Sequence, residues 1–302
     1  MTETLLCFGL GYCARHYVEA CGGRYARVIG TVRSRDSALA LSTRCSGGPA
    51  IDALVFDGVA PSEAVVAAID EADAVLVSVP PGPNGDPVLD AFSGALARAP
   101  RLKTIVYLST VGVYGDHDGA PVDEATPALP VSDRGRARLA AEAAWQDVGR
   151  RGGKPVAVLR LAGIYGPGRN ALENVASGRA RRILKPGQVF NRIHVADIAQ
   201  AIDAAIGREA SGLFNVTDDE PGPPQDVIAF AAALIGCEAP PEIAFADAEG
   251  TMTPMARSFY GENKRVGNAR LKQELGVSLL YPTYRDGLRA LRDSGGGQRP
   301  KP

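Results

Sequence analysis

Six short runs of the chain, Leu5–Phe8, Val28–Val32, Ala53–Phe56, Ala74–Val79, Thr104–Leu108 and Val156–Leu159, are apolar on both faces instead of alternating with polar residues. A strand of that kind has to be covered on both sides. Most of the segments between the runs are long enough for a crossover helix, so the pattern predicts a parallel sheet with helices on either face, an α/β doubly wound architecture. The helix signal is clearest over Ser132–Arg150, where Ser132 or Asp133 can cap and Leu139, Ala143 and Trp145 lie among arginines and a glutamate.

From Gly166 onward nine prolines between Pro167 and Pro282 cut the chain into short elements and predict a smaller, irregular second region. Two stretches read differently. Ala196–Ile206 resembles a helix capped near Asp197, and Gly212–Val216 resembles a strand. Both are expected to return to the main sheet, so that residues 191–217 rejoin residues 1–165 and the second region comprises 166–190 and 218–293. Residues 294–302 form a polar Gly/Pro tail that reads as disordered.

At 302 residues, with 45% hydrophobic and 22% charged residues, the chain has the composition of a globular protein of about two domains. Its 33 basic and 34 acidic residues leave a net charge of -1, which offers no electrostatic footprint for nucleic acid or an acidic membrane. Five cysteines without a CxxC pair and three scattered histidines suggest no metal site and fit a reducing cytoplasm. The amino terminus has no basic region before its short apolar run, so nothing there directs export.

Gly9-Leu10-Gly11-Tyr12-Cys13-Ala14 follows the first run directly and fits GxGxxA. The first glycine permits a tight turn, the second lets a pyrophosphate approach the backbone, and Ala14 permits close helix-to-strand packing. The helix amino terminus then attracts the phosphates. The alternative is a glycine turn that only packs. A site for NAD would place a carboxylate after the second run, to accept from the ribose 2′-hydroxyl. The chain instead has Arg33-Ser34-Arg35, a guanidinium fork and a hydroxyl suited to a 2′-phosphate, so NADP is favoured with NAD remaining open. Asp57, after the third run, could accept from an adenine amino group or cap the next turn. Val79 and Pro80, closing the fourth run, complete the expected cofactor wall.

Four ordered motifs then carry a resemblance. Tyr107-Leu-Ser-Thr-Val-Gly-Val-Tyr-Gly115, Asp123-Glu-Ala-Thr-Pro127, Leu159-Arg-Leu-Ala-Gly-Ile-Tyr-Gly-Pro-Gly-Arg169 and Arg192-Ile-His-Val-Ala-Asp197 resemble the extended short-chain dehydrogenase/reductases of the NAD-dependent epimerase/dehydratase type. The resemblance covers nearly all of residues 4 to 290, including an Asn268–Gly276 helix. It implies a Rossmann domain that binds NAD(P), a C-terminal substrate domain and, frequently in that family, a homodimer. It also implies chemistry by Ser or Thr with a YxxxK pair, the tyrosine acting as acid/base. Thr110 stands at the Ser/Thr position. The helix expected to carry YxxxK has Arg134 in place of the tyrosine and Arg138 in place of the lysine. An arginine can donate to ribose hydroxyls but, with a pKa above ~12, is a poor proton shuttle. This departure, with GxGxxA in place of GxxGxxG, points to the atypical branch of the superfamily.

The remaining candidates for an acid/base are Tyr114 and Tyr165, both after strands at the sheet's C-terminal edge, with Asp116, His117 and His194 more distant choices. Arg192 and Arg257 could hold an anionic substrate group. The sequence thus reads as an NAD(P)-binding oxidoreductase or epimerase/dehydratase-like enzyme acting on a small polar substrate. Two alternatives stay open: a non-catalytic NADP-binding sensor or scaffold, and a nucleotide-sugar epimerase with a relocated acid/base.

Overall fold

Seven strands form a wholly parallel sheet in the computed structural model, which describes residues 3–42 and 50–297. They are β1 (Thr4–Phe8), β2 (Arg27–Val32), β3 (Ile51–Val55), β4 (Ala74–Val77), β5 (Thr104–Thr110), β6 (Val156–Leu161) and β7 (Gly212–Val216). Their order across the sheet is β3-β2-β1-β4-β5-β6-β7. This is a Rossmann doubly wound sheet. The order reverses between β1 and β4, and the crevice beyond their C-terminal ends is where ligands bind in such sheets.

Strand β1 shows why the runs are apolar on both faces. Leu5 and Cys7 enter one core with Tyr17, Leu159, Ile198 and Phe214. Leu6 and Phe8 enter the other with Ile69, Phe92, Tyr107 and Trp145. The first layer holds α1 (Tyr12–Cys21) and α6 (Val195–Gly207), and the second holds α3 (Glu63–Glu71), α4 (Pro87–Arg98) and α5 (Asp133–Gly152); α2 (Arg35–Ser42) joins β2 towards β3. Strand β3 departs from the sequence expectation. As the sheet edge it is half-exposed, and Asp52 on it accepts from Arg27 Nε at 2.6 Å.

The caps hold one agreement and one correction. Ser132 Oγ accepts from Gly135 N at 3.1 Å and starts α5. Helix α6 is capped by His194, whose Nδ1 accepts from Ala196 N at 3.2 Å, and not by Asp197. Asp197 is fully buried and instead accepts from Leu280 N, Tyr281 N and Gln200 Nε2, pinning residues 280–281 to α6.

Between and after the main strands lie three two-stranded parallel pairs: Gly163–Tyr165 with Arg192–His194, Arg182–Leu184 with Glu242–Ala244, and Pro121–Val122 with Arg265–Val266. The last pair carries the segment 262–266 back to the loop after β5. The expected helix over Asn268–Gly276 is a single turn, Ala269–Gln273. A helix over Tyr284–Asp293 follows, begun by a reciprocal Thr283–Asp286 capping box. Residues 294–297, read from sequence as the start of a disordered tail, continue that helix as a hydrogen-bonded turn; 298–302 lie outside the described residues, as does Cys45.

Candidate active site

The glycine turn is built for close approach. Gly9 has φ +83, and a Cβ there would come within 2.8 Å of Val79 Cγ2. Its N–H donates to Thr31 Oγ1 at 2.9 Å, and its carbonyl accepts from Ser78 Oγ at 2.5 Å. Gly11 caps α1 with backbone alone. No side chain among the described residues caps the helix, its first turn has no acidic residue, and a Cβ at Gly11 would meet only Ser78 Oγ, at 3.9 Å. Free N–H groups, positive dipole and open space meet at one point, which fits a pyrophosphate.

Leu10 plays a different part from that expected. Its side chain is buried over Gly30, where any Cβ would overlap it, and its N–H and C=O are engaged by Thr31 and Arg15. It supports the turn from beneath. Tyr12 and Cys13 line the cleft, and Tyr12 Oη donates to Pro167 O at 2.9 Å, tying α1 to the 166–169 loop. Burial pushes the Tyr12 phenol up to about 12 and the Cys13 thiol up to about 11, with the Arg169 guanidinium opposing both.

Arg33 and Ser34 are exposed just beyond β2, and Ser34 Oγ accepts from Ser37 N in the first turn of α2. Asp57 Oδ1 accepts from Val59 N and Ala60 N as the cap of a turn. Val79 packs beside Gly9, while Pro80 is exposed.

After β5, Thr110 Oγ1 accepts from Gly112 N at 3.1 Å and starts the 3-10 turn Val111–Tyr114. Thr110 faces the cleft. Tyr114, expected as a candidate acid/base, does not: it is fully buried, and its hydroxyl donates to Asn215 Oδ1 at 2.8 Å. The Arg160 guanidinium lies 4.8 Å from the centre of its ring. Arg160 is itself buried against Glu142, 2.7 Å away, which also accepts from Ser109 Oγ. Tyr165 lines the cleft, but its hydroxyl donates to Thr283 O and burial raises its pKa. Both phenols are thus committed to the interior.

Arg138 is half-buried and anchored, donating to Leu108 O at 2.6 Å and Tyr107 Oη at 3.1 Å. Arg134, one turn earlier on α5, is exposed at the cleft and has no hydrogen bond or ion pair among the described residues. Arg192 also lines the cleft, donating to Phe190 O and Gly222 O; burial lowers its pKa against the opposing charge of Asp218. Arg257 falls outside. It sits exposed on the helix Pro254–Tyr260 and donates to Glu249 O. His194 faces inward, its pKa lowered by burial to about 4, whereas Asp116 and His117 belong to the turn after Tyr114, where Asp116 accepts from Asn263 N.

These groups border one cleft of about 780 Å³, running from Gly11 and Ser78 past Thr110, Arg134 and Arg138 to a wall of Phe190, Phe259 and Tyr284. Sequence reasoning missed Ser78, Arg169, Glu262 and Lys264 on its border. A lone loop arginine and the run Gly261-Glu-Asn-Lys-Arg265 carry no spacing signal; only the tertiary return of that run to β5 makes it part of the site.

Residues 89–217 match the sequence model of the NAD dependent epimerase/dehydratase family. Over that segment the chain resembles the NAD-dependent epimerase/dehydratase family. A solved structure of a functionally unknown conserved protein from Silicibacter pomeroyi is 50% identical, with a TM-score of 0.85 over 97% of this chain and 99% of that one. Protein YeeZ of Escherichia coli K12 is 28% identical over 286 residues, 91% of this chain and 94% of YeeZ. Among family folds, human epimerase family protein SDR39U1, solved with NADPH, superposes with a TM-score of 0.71 at 17% identity, covering 96% of this chain and 99% of that one. The fold likeness therefore extends over nearly all of the chain.

Proposed function

We propose that the protein binds NADP in this cleft and is a cytoplasmic oxidoreductase or epimerase/dehydratase-like enzyme acting on a small polar substrate. The observation that carries the reading is the uncapped start of α1 over the open Gly11 turn, facing the same cleft as Thr110. On this reading the pyrophosphate rests on the N–H groups of α1, with Arg169 adding positive charge beside Cys13. The 2′-phosphate lies against Arg33 and Ser34, and Thr110 positions the substrate oxygen. Arg138 holds the end of β5 in place. The bound dinucleotide supplies hydride-transfer chemistry at its nicotinamide. Arg192 supplies charge for an anionic substrate group, in a wall otherwise formed by Phe190 and Tyr284.

The second reading, an NADP-binding sensor without catalysis, is favoured by the interior bonds of Tyr114 and Tyr165 and by Arg134 at the tyrosine position. Steady-state oxidation of NADPH with aldehydes, ketones and nucleotide sugars separates the two. Turnover with any of them supports the enzyme; dinucleotide binding without turnover across all three classes supports the sensor.

A further inference from the structure

We propose that Glu262, oriented by Lys264, is the acid/base of this site and takes the place of the absent family tyrosine. The proposal rests on the cofactor reading above. Lys264 is buried with 5% of its side chain exposed, and its ammonium donates to Gly115 O and to Glu262 Oε2, each at 2.6 Å. Both residues border the cleft. The point where a Cβ on Gly112 would stand is 3.4 Å from Thr110 Oγ1 and 4.0 Å from Glu262 Oε2. The carboxylate and the threonine hydroxyl thus flank the same bare stretch of backbone, and a substrate oxygen lying over Gly112 is within reach of both.

The segment that carries the pair is fixed in place. Glu262 O accepts from Gln188 Nε2 at 2.7 Å, Asn263 N donates to Asp116 Oδ1 at 2.8 Å, and Asn263 Oδ1 accepts from Val189 N at 3.1 Å. Asn263 O accepts from His117 N and Gly119 N and completes the clamp. Such pinning suits a group that must meet a reacting atom. The other charged groups that line the cleft are Arg134 and Arg138 on α5, Arg169, Arg181 and Arg192, while Asp116, which accepts from Asn263 N, has Lys185 and Lys264 nearby.

In the oxidative direction a secondary alcohol loses its hydroxyl proton to Glu262 Oε2 and a hydride to the oxidised nicotinamide, leaving a carbonyl compound and reduced dinucleotide. The carboxyl then releases the proton to solvent. In the reductive direction the carboxylic acid returns the proton as hydride arrives at the carbonyl carbon. Lys264 is a positioning residue that holds the carboxylate toward Thr110.

The test uses the full chain labelled with carbon-13 at glutamate Cδ, with the Glu262 resonance assigned by its loss in Glu262→Gln. A positive nicotinamide beside the carboxylate favours its ionised form. Titration of Glu262 should therefore move to lower pH, by about half a pH unit or more, in the NADP⁺ complex relative to the NADPH complex. Glu262→Gln should also lower any carbonyl-reductase turnover at least a hundredfold, about the scale of general acid–base catalysis, while NADP⁺ affinity falls only about threefold, the counterpart of a half-unit shift. Glu262→Asp keeps the charge opposite Lys264 and should retain part of the rate. Identical Glu262 titration in the two complexes, or unchanged turnover in Glu262→Gln, overturns the proposal while leaving the cofactor reading standing. Absence of dinucleotide binding overturns both.

Discussion

The hydroxyl of Tyr114 donates to Asn215 Oδ1 at 2.8 Å, joining the turn after β5 to β7 on the far side of β6. The same Asn215 donates through Nδ2 to Gly267 O at 3.2 Å, and its backbone N–H donates to Glu124 Oε1 at 2.7 Å. Tyr114 therefore holds sheet, turn and C-terminal segment together. Replacing it with phenylalanine should leave NADP⁺ affinity within about twofold and reduce unfolding free energy by about 1 kcal/mol, the net worth of one buried hydrogen bond. Denaturant melts and calorimetric titration of Tyr114→Phe check both parts; a loss of cofactor affinity without loss of stability would return the residue to the site.

Arg33 should set the choice of dinucleotide. It is exposed at the end of β2 with no carboxylate among its sequence neighbours Ser34 and Arg35. Losing one charge-assisted contact costs about 1.5–3 kcal/mol, so Arg33→Ala should weaken NADP⁺ roughly ten- to a hundredfold and leave NAD⁺ almost unchanged. Equal losses for both in paired titrations would remove the 2′-phosphate from this position.

His194 should give the protein an acid-sensitive step. Burial and the nearby His16 hold its folded pKa at about 4, below the 6.5 of an ordinary histidine. The unfolded chain therefore binds more protons between these values, so this stabilising contribution is present above pH 6.5 and lost as pH falls toward 4. The full effect is roughly 3 kcal/mol. Asp218 acts in the opposite sense, because burial raises its pKa to about 8 and its contribution declines as pH rises from 3.8 through 8. The comparison must accordingly be with His194→Asn, whose side chain can still cap Ala196. Its stability should show a shallower fall than wild type between pH 6.5 and 4; parallel curves would contradict a buried neutral histidine.

What the sequence made legible was local. The two-faced apolar runs correspond to the central strands because burial on both sides leaves a mark in every residue of β1, β4 and β6. The exception, β3, is an edge strand, and sequence alone does not reveal which strand lies outermost. The glycine turn was legible because Gly9 needs a positive φ, a constraint that few other residues satisfy. Tyr114 misled because a tyrosine at a strand end looks alike whether its hydroxyl faces a ligand or an asparagine 101 positions away. Glu262 and Lys264 were silent for the converse reason. Their place opposite Thr110 exists only once Arg265–Val266 pairs with Pro121–Val122.

The central claim, that the open turn at Gly11 seats a dinucleotide, is tested most directly by calorimetric titration of wild type and Gly11→Val with NADP⁺ and NAD⁺. Gly11 has φ -80, within the range of an ordinary residue, and no close neighbour for an added side chain. The variant should fold with a wild-type circular dichroism spectrum while its valine fills the pyrophosphate seat. The account predicts that wild type binds NADP⁺ more tightly than NAD⁺ and that folded Gly11→Val binds neither. Wild type with no affinity for either dinucleotide, or Gly11→Val with undiminished affinity, would contradict it.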